Sequence, residues 1–228
     1  MIPSPSVGKR EPSYALGTKV PGGYTLSRFL GRGGFAEVYE GTAANGEVVA
    51  VKLLTDERPR SYLRFQREIK VTRALPEARH LVGYRGHGTQ TNGRPFLALE
   101  FVGGYTLSEL LGSGLKPDTR GACRLVMQLC EAFGHLHHLG LTHGDIKPGN
   151  IMIHTDGKTA VLLDFGLVRD AQGLLKLMEE ESLIEGDEFK DDLDQGILMG
   201  TPEYMAPEQI SDAYLRSADW GNRQTDTP

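Results

Sequence analysis

The sequence predicts an α+β fold in two lobes, a small antiparallel β-rich N-lobe with one helix and a mainly helical C-lobe. Three observations predict it. Residues 24–54 carry short runs of β-type alternation with a turn signal between them. Residues 61–75 and 119–139 repeat their apolar side chains at three- and four-residue spacing, the period of amphipathic helices. The strand signals come early and the long helix late, so the pattern is not the strand–helix alternation of a parallel sheet. With 228 residues the chain is long enough for one large domain or two small lobes with a real core.

Taken in order, residues 1 to about 21 open with MIPSPSVGKREPS, rich in Pro and Ser, and are expected to form a disordered tail. The domain is expected over 22–228, its N-lobe about 22–102 and its C-lobe about 103–228. Strands are read in YTLSRFL, FAEVYEGT and EVVAVKLL, with Asn45-Gly46 as the hairpin turn between the last two. A helix follows in SYLRFQREIKVTRAL, with Tyr62, Phe65 and Ile69 on one face. Two more short strands are expected around Leu81–Tyr84 and Pro95–Phe101, and residues 100–105 join the lobes. The stretch after VGGYTLSELL turns helical, and Ala122, Leu125, Val126, Leu129, Phe133 and Leu136 give the long helix its apolar face. Short strands near Ile151–His154 and Ala160–Leu163 complete the pattern. There is no internal repeat.

Composition narrows the function classes. The chain is 39% hydrophobic and 24% charged, ordinary for a soluble protein, but its 29 glycines are nearly double the usual share. A net charge of −5 argues against a nucleic-acid binder driven by counterion release. The charge is uneven: residues 179–195 hold nine acidic side chains and one lysine. That run reads as a solvated insert, or as a segment that inhibits the chain or attracts basic substrates. Cys123 and Cys130 fall seven apart in a helical pattern and read as buried small hydrophobes in a reducing compartment, with no disulfide framework and no CxxC metal site. His135, His137 and His138 lack an i, i+4 pairing and read as a helix end rather than a zinc site. No apolar run approaches the roughly 18–20 residues of a membrane span, and the N-terminus lacks the apolar core of a signal peptide. A cytoplasmic protein is expected.

Chemistry is concentrated in three stretches. LGRGGFAEV, residues 30–38, sets Gly31, Gly33 and Gly34 in a turn whose backbone amides can wrap phosphates unobstructed. A glycine-rich hairpin without a ligand is the other reading. A dinucleotide fold would need a helix directly after the glycines, whereas a strand pattern follows. VVAVK ends an apolar strand on Lys52, and Glu68 on the next helix supplies an anion that can fix the direction of that ammonium. Alone, each is an ordinary surface charge. LTHGDIKPGN, residues 141–150, puts Asp145 two residues before Lys147 and five before Asn150. The loop is full of Gly and Pro, poor material for a core and good material for an active site.

With these residues in view the sequence resembles the protein kinase family, in particular its Ser/Thr branch of the bacterial type. Gly31-x-Gly33 with Val38 looks like the phosphate-covering loop, with Ala36 where a third glycine is usual. VAVK ends on Lys52, and Glu68 is similar to its helix partner. HGDIKPGN looks like the catalytic loop, Asp164-Phe165-Gly166 follows the second short strand, and GTPEYMAPE at 200–208 looks like the end of the activation segment. The resemblance covers Tyr24 to about Gln209, and six motifs stand in order.

It implies a Ser/Thr protein kinase that uses ATP and Mg²⁺ and acts on a protein substrate. Asp145 would accept the proton of a substrate hydroxyl and Lys147 would neutralise the transferring group, while Lys52, its direction fixed by Glu68, would hold the α- and β-phosphates. Asn150 and Asp164 offer the oxygen ligands that suit Mg²⁺. The adenine would lie under Leu30 and Val38, against Ala50 and above Met152. It would hydrogen-bond the backbone of Glu100 and Val102, with Leu99 as gatekeeper. His143 is expected to be packed as core.

Two departures stand out. Gly144 replaces the arginine that many members place before the catalytic Asp to pair with an activation-segment phosphate. After Gln209 only nineteen residues remain, so an incomplete C-lobe is expected. HGD…PGN also resembles small-molecule phosphotransferases of the aminoglycoside and choline kinase type, although Lys147 and GTPEYMAPE favour the protein kinase. A non-catalytic kinase-like scaffold is the remaining class, against which stand Lys52, Asp145 and Asp164.

Overall fold

A computed structural model describes residues 11–170 and 200–210. The acidic run 179–195 and the first ten residues of the expected tail lie outside them. Six antiparallel strands build the N-lobe sheet: β1 (Lys19–Val20), β2 (Tyr24–Arg32), β3 (Ala36–Thr42), β4 (Val48–Leu54), β5 (Tyr84–Thr89) and β6 (Pro95–Glu100), in the order β1-β2-β3-β4-β6-β5. The turn at Asn45-Gly46 forms as expected, with Gly46 at φ 86° and its amide donating to Ala43 O at 2.9 Å.

The pleat divides the side chains of this sheet between two environments. Tyr39, Val49, Val51, Leu53, Phe96 and Ala98 are inaccessible to solvent on one face. Val38, Ala50, Lys52 and Leu99 alternate with them, share the other face and remain partly exposed. One face therefore closes a core and the other looks into a cleft. Helix α1 (Pro59–Ala74) packs on the cleft side through Phe65, Glu68 and Ile69. Its start follows from Pro59 in the first turn and from Asp56, which accepts from Arg58 N and Ser61 Oγ; Pro76 stops it one residue after Leu75.

The second lobe is built from β7 (Gly104–Thr106), α2 (Leu107–Gly112), α3 (Thr119–His138), β8 (Leu141–Thr142), β9 (Ile151–His154), β10 (Ala160–Leu162) and β11 (Arg169–Asp170). Strands β10, β9 and β7 form one small sheet, and β8 pairs with β11. α2 is capped reciprocally, Glu109 N donating to Thr106 Oγ1 and Thr106 N to Glu109 Oε2. Asp118 caps α3, and Gly140 at φ 69° follows its last turn. A core of Val102, Ala132, Leu136, Leu141, Ile151, Leu162, Phe165 and Val168 closes this lobe and reaches Val71 of α1. Among the described residues no helix is long and apolar enough to cross a membrane.

Several sequence expectations change. Residues 13–20 are not tail: Lys19–Val20 pair with β2 and Ser13 and Tyr14 bond to β3, because Tyr14 and Val20 find apolar cover there. The strand expected at Leu81–Tyr84 begins at Tyr84 and runs to Thr89, through YRGHGT, which has no apolar alternation to announce it. Leu81 instead bridges Leu162. Tyr62 is exposed, and only Phe65 and Ile69 of the expected α1 face are buried. Cys123 and Cys130 are exposed rather than buried, as are Val126 and Met127. The packed stripe of α3 runs through Leu125, Leu129, Ala132 and Leu136, to one side of these four.

Candidate active site

Lys52 reaches from β4 across to α1. Its Nζ lies 2.6 and 2.7 Å from the two carboxylate oxygens of Glu68 and 3.7 Å from Asp164 Oδ1. The Phe35 ring stands 5.5 Å from the same ammonium. Burial alone would pull the Lys52 ammonium down, but the Asp164 and Glu68 carboxylates outweigh it and hold it above the usual lysine range. Burial pushes the Glu68 carboxyl up to about 7 against the pull of Lys52. Burial also opposes the charge on Asp164, yet Lys52, Arg64 and the Gly166 amide carry it down to about 2. Asp164 is thus the firm carboxylate of the cluster and Glu68 the soft one.

Asp164 sits at φ 60°, a left-handed conformation sparsely used by non-glycine residues, and its Oδ1 accepts from Gly166 N at 3.1 Å. Next to it Phe165 is buried in the second lobe's core and meets His143 edge-on at 5.8 Å. Anchoring Phe165 inward leaves Asp164 turned toward Lys52. His143, expected as core, is 1% exposed, faces Leu163 O through Nε2 at 3.0 Å and accepts Asp145 N–H on Nδ1.

Asp145 is nearly buried, and its carboxylate is held from three sides. Lys147 Nζ donates to Oδ2 at 2.6 Å and Asn150 Nδ2 to the same oxygen at 3.2 Å; Thr201 donates to Oδ1 through N–H at 3.1 Å and through Oγ1 at 3.2 Å. Lys147 Nζ also donates to Thr201 Oγ1 at 2.9 Å. Asn150 ends the short 3₁₀ turn Pro148–Asn150, gives its amide nitrogen to Asp145 O at 2.8 Å as well, and accepts Leu163 N–H on its carbonyl. This last bond sets Asn150 beside the residue that precedes Asp164. Asn150 Oδ1 and the Asp164 carboxylate are oxygen donors of the kind a hard cation takes, so the residues fit Mg²⁺.

Gly144 has a local structural cause. It sits at φ 80°, and a Cβ there would fall 2.3 Å from Leu167 O, so no arginine fits this backbone. Its carbonyl accepts Gln209 Nε2 at 3.0 Å. The opposite holds in the glycine-rich turn. Cβ atoms on Gly31 and Gly34 would meet nothing within 4 Å, so the chain itself does not require glycine there. An approaching ligand would.

The described residues thus bring Lys52, Glu68 and Asp164 into one cluster and Asp145, Lys147 and Asn150 into a second beside it. The expected adenine contacts are split between the lobes: Leu30, Val38, Ala50 and Leu99 on the first sheet, partly exposed, and Met152 on β9. Val102 is buried, and Glu100 N donates to Gly83 O at 2.8 Å. Sequence reasoning did not assign roles to Thr201 or Gln209, or to Arg64, whose guanidinium stacks 4.8 Å from the Phe35 ring. Thr201 lay inside a recognised motif and could have been assigned; nothing marks Gln209 in advance.

Residues 24–221 match the protein kinase domain family. The chain belongs to the protein kinase family. This kinase domain is 34% identical over 196 residues to the serine/threonine-protein kinase pkn2 of Myxococcus xanthus, covering 82% of this chain and 21% of that protein. It is 32% identical over 197 residues to a probable serine/threonine-protein kinase of Streptomyces coelicolor (84% and 27%), and 33% identical over 196 to the serine/threonine-protein kinase PknD of Mycobacterium tuberculosis (83% and 26%). The matched kinase domain thus spans about a quarter of the length of these relatives.

Proposed function

We propose that this kinase domain transfers the γ-phosphoryl group of ATP to Ser or Thr hydroxyls of protein substrates, in the cytoplasm. The observation that carries this reading is the Asp145 carboxylate, oriented by Lys147, Asn150 and Thr201 together at 2.6–3.2 Å. An acceptor hydroxyl brought to that carboxylate can give up its proton as the oxygen attacks phosphorus in line, and the bond to the leaving ADP breaks. Lys147, already within reach, neutralises charge on the transferring oxygens. Lys52, pinned by Glu68, is directed toward the nucleotide phosphates rather than free to wander. Mg²⁺, when held by Asn150 and Asp164, supplies further charge neutralisation on the phosphates. The open backbone of Gly31, Gly33 and Gly34 suits close approach to the phosphates, and the partly exposed face of Val38, Ala50 and Leu99 suits an adenine ring.

A transfer assay with labelled ATP and Mg²⁺, offering a basic protein and small alcohols in parallel, tests this. Label on protein hydroxyls is expected. Label confined to a small alcohol would move the chain to the small-molecule phosphotransferases, and no label on either would leave the scaffold reading.

A further inference from the structure

Glu37 is a carboxylate with no solvent access, placed on β3 directly beyond the glycine-rich turn. A buried carboxylate is costly unless paired and hydrogen-bonded. Its partners come from two places. Arg32, its register partner on β2, bonds to it, and Tyr39 Oη donates at 2.5 Å. The rest come from the N-terminal segment: Ser13 Oγ donates to Oε1 at 2.7 Å and Ser13 N to Oε2 at 3.0 Å. These donors hold the carboxyl below the usual glutamate range although burial opposes them.

The segment grips the other stem of the hairpin too. Arg32, between Gly31 and Gly33, donates to Glu11 O at 3.0 Å and approaches Ser13 Oγ at 3.4 Å. Beyond Ser13 the segment is fastened to stiffer parts of the lobe. Tyr14 N donates to Tyr39 Oη at 3.2 Å, and Tyr14 Oη bonds to Gln90, which is buried and donates to Pro95 O at 2.9 Å. The turn between the stems is held at its far end, where Phe35 O accepts Thr55 N at 3.0 Å and Asp56 N at 3.1 Å and the Phe35 ring meets Phe65 edge-on. Its glycine part has fewer ties: Gly33 N donates to Ala36 O at 2.8 Å, and no atom lies within 4 Å of where a Cβ of Gly31 or Gly34 would stand. The position of Gly31–Gly34 is therefore set by Phe35 on the α1 side and by the two stems behind, and both stems are tied to residues 11–14. Glu37 and Tyr39 share the sheet face opposite Val38 and Lys52, so these contacts act from behind the site.

We propose that Glu37, gripped by Ser13, is a positioning residue: residues 11–14 form a strap that holds the glycine-rich turn at the height at which its amides meet the nucleotide phosphates. This rests on the kinase reading above. Placing a negative charge on Ser13 opposes Glu37 and releases the strap, while the reacting groups are untouched.

The test uses the full chain with Ser13→Asp, Ser13→Ala and Ser13→Thr, since Ser13 is exposed and its replacement leaves the core intact. Hydrogen exchange of the 31–35 amides reports the turn, and binding of a non-hydrolysable ATP analogue with Mg²⁺ reports its consequence. In Ser13→Asp the exchange should quicken about tenfold and the analogue Kd should rise about three- to tenfold, the loss expected for charge-assisted hydrogen bonds. Ser13→Ala should be intermediate and Ser13→Thr should restore the parent values. Unchanged exchange in Ser13→Asp, or quickened exchange with an unchanged Kd, would overturn the inference. A parent chain with a Ser13-dependent Kd but no phosphate transfer would keep it and sink the transferase reading; a parent that binds no analogue would sink both.

Discussion

At Gly144, a backbone at φ 80° meets Leu167 O where a Cβ would stand at 2.3 Å. A left-handed alanine costs roughly 1–2 kcal/mol before any clash, so Gly144→Ala should destabilise the chain by about 2 kcal/mol or more, read from denaturant midpoints. Gly144→Arg should be worse and should not create a phosphate-dependent switch. Asp145→Asn keeps the size of the side chain and removes the proton acceptor; turnover should fall about 10²–10⁴-fold with nucleotide affinity little changed. An Asp145→Asn protein as fast as the parent would refute the assignment. His143 adds a pH dependence. Burial pulls its imidazole below the usual 6.5, beyond what the Leu163 carbonyl and the nearby carboxylates restore. The unfolded chain takes a proton near pH 6.5 that the folded chain resists, so this contribution is complete above that pH and declines as the pH drops below it. Melts at pH 7.5 and 5.5 should show the decline, and His143→Gln should flatten it.

Between elements, the β4–α1 pair of Lys52 and Glu68 carries a prediction that separates activity from folding. Lys52→Met leaves Glu68 buried without its cation, but a carboxyl already pushed up to about 7 relieves the cost by taking a proton. Catalytic efficiency with ATP should therefore fall by about 10²-fold or more, while Tm moves by no more than roughly 4 °C, about 1 kcal/mol for a chain this long. Glu68→Gln should reproduce part of the loss. Parental activity in both variants would show that the nucleotide lies elsewhere. The end of the activation segment makes a second case. Thr201 is bonded to Asp145 and Lys147, and Gln209 to the Gly144 carbonyl, and these ties involve no phosphate. Between Gly166 and Gly200 the one hydroxyl side chain is Ser182, set among acidic residues that would repel a phosphate. Phosphatase treatment should leave the transfer rate intact, whereas Thr201→Val should lower it. A large loss on dephosphorylation would show that another basic residue serves in place of the missing arginine.

Across the whole molecule, the half-exposed sheet face that carries Lys52 approaches the second lobe at Asp164, beside the Asp145 loop. Elsewhere α3 presents Val126 at 58% and Met127 at 71% exposure, flanked by the exposed Cys123 and Cys130. Apolar side chains so open contribute little to folding, so Val126→Lys with Met127→Lys should shift stability by no more than about 0.5 kcal/mol. The same pair should lower binding of a hydrophobic dye. A loss of several kcal/mol would show that this face is covered in solution.

The two-lobe order, the Asn45-Gly46 turn, both long helices and the short strands after the Asp145 loop were legible in the sequence. Each depends on local periodicity or on one turn dipeptide. Asp145, Lys147 and Asn150 stood out as candidates because they share a loop of Gly and Pro, Lys52 because it ends an apolar strand, and Asp164 because it follows a short strand; the structure brings Lys52 within 3.7 Å of Asp164 and Lys147 within 2.6 Å of Asp145. Other features depended on partners far along the chain. YRGHGT becomes a strand only because β6 pairs with it, and Ser13 and Tyr14 leave the expected tail only because β3 and Gln90 receive them. Cys123 and Val126 fit an apolar helix stripe by spacing, but which arc of α3 is buried depends on where β8 and β10 lie. Local pattern determined which elements form and which residues could do chemistry. Tertiary contact decided which faces are covered, why position 144 must be glycine and how the glycine-rich turn is held, since burial and hydrogen-bond partners are properties of the packed chain.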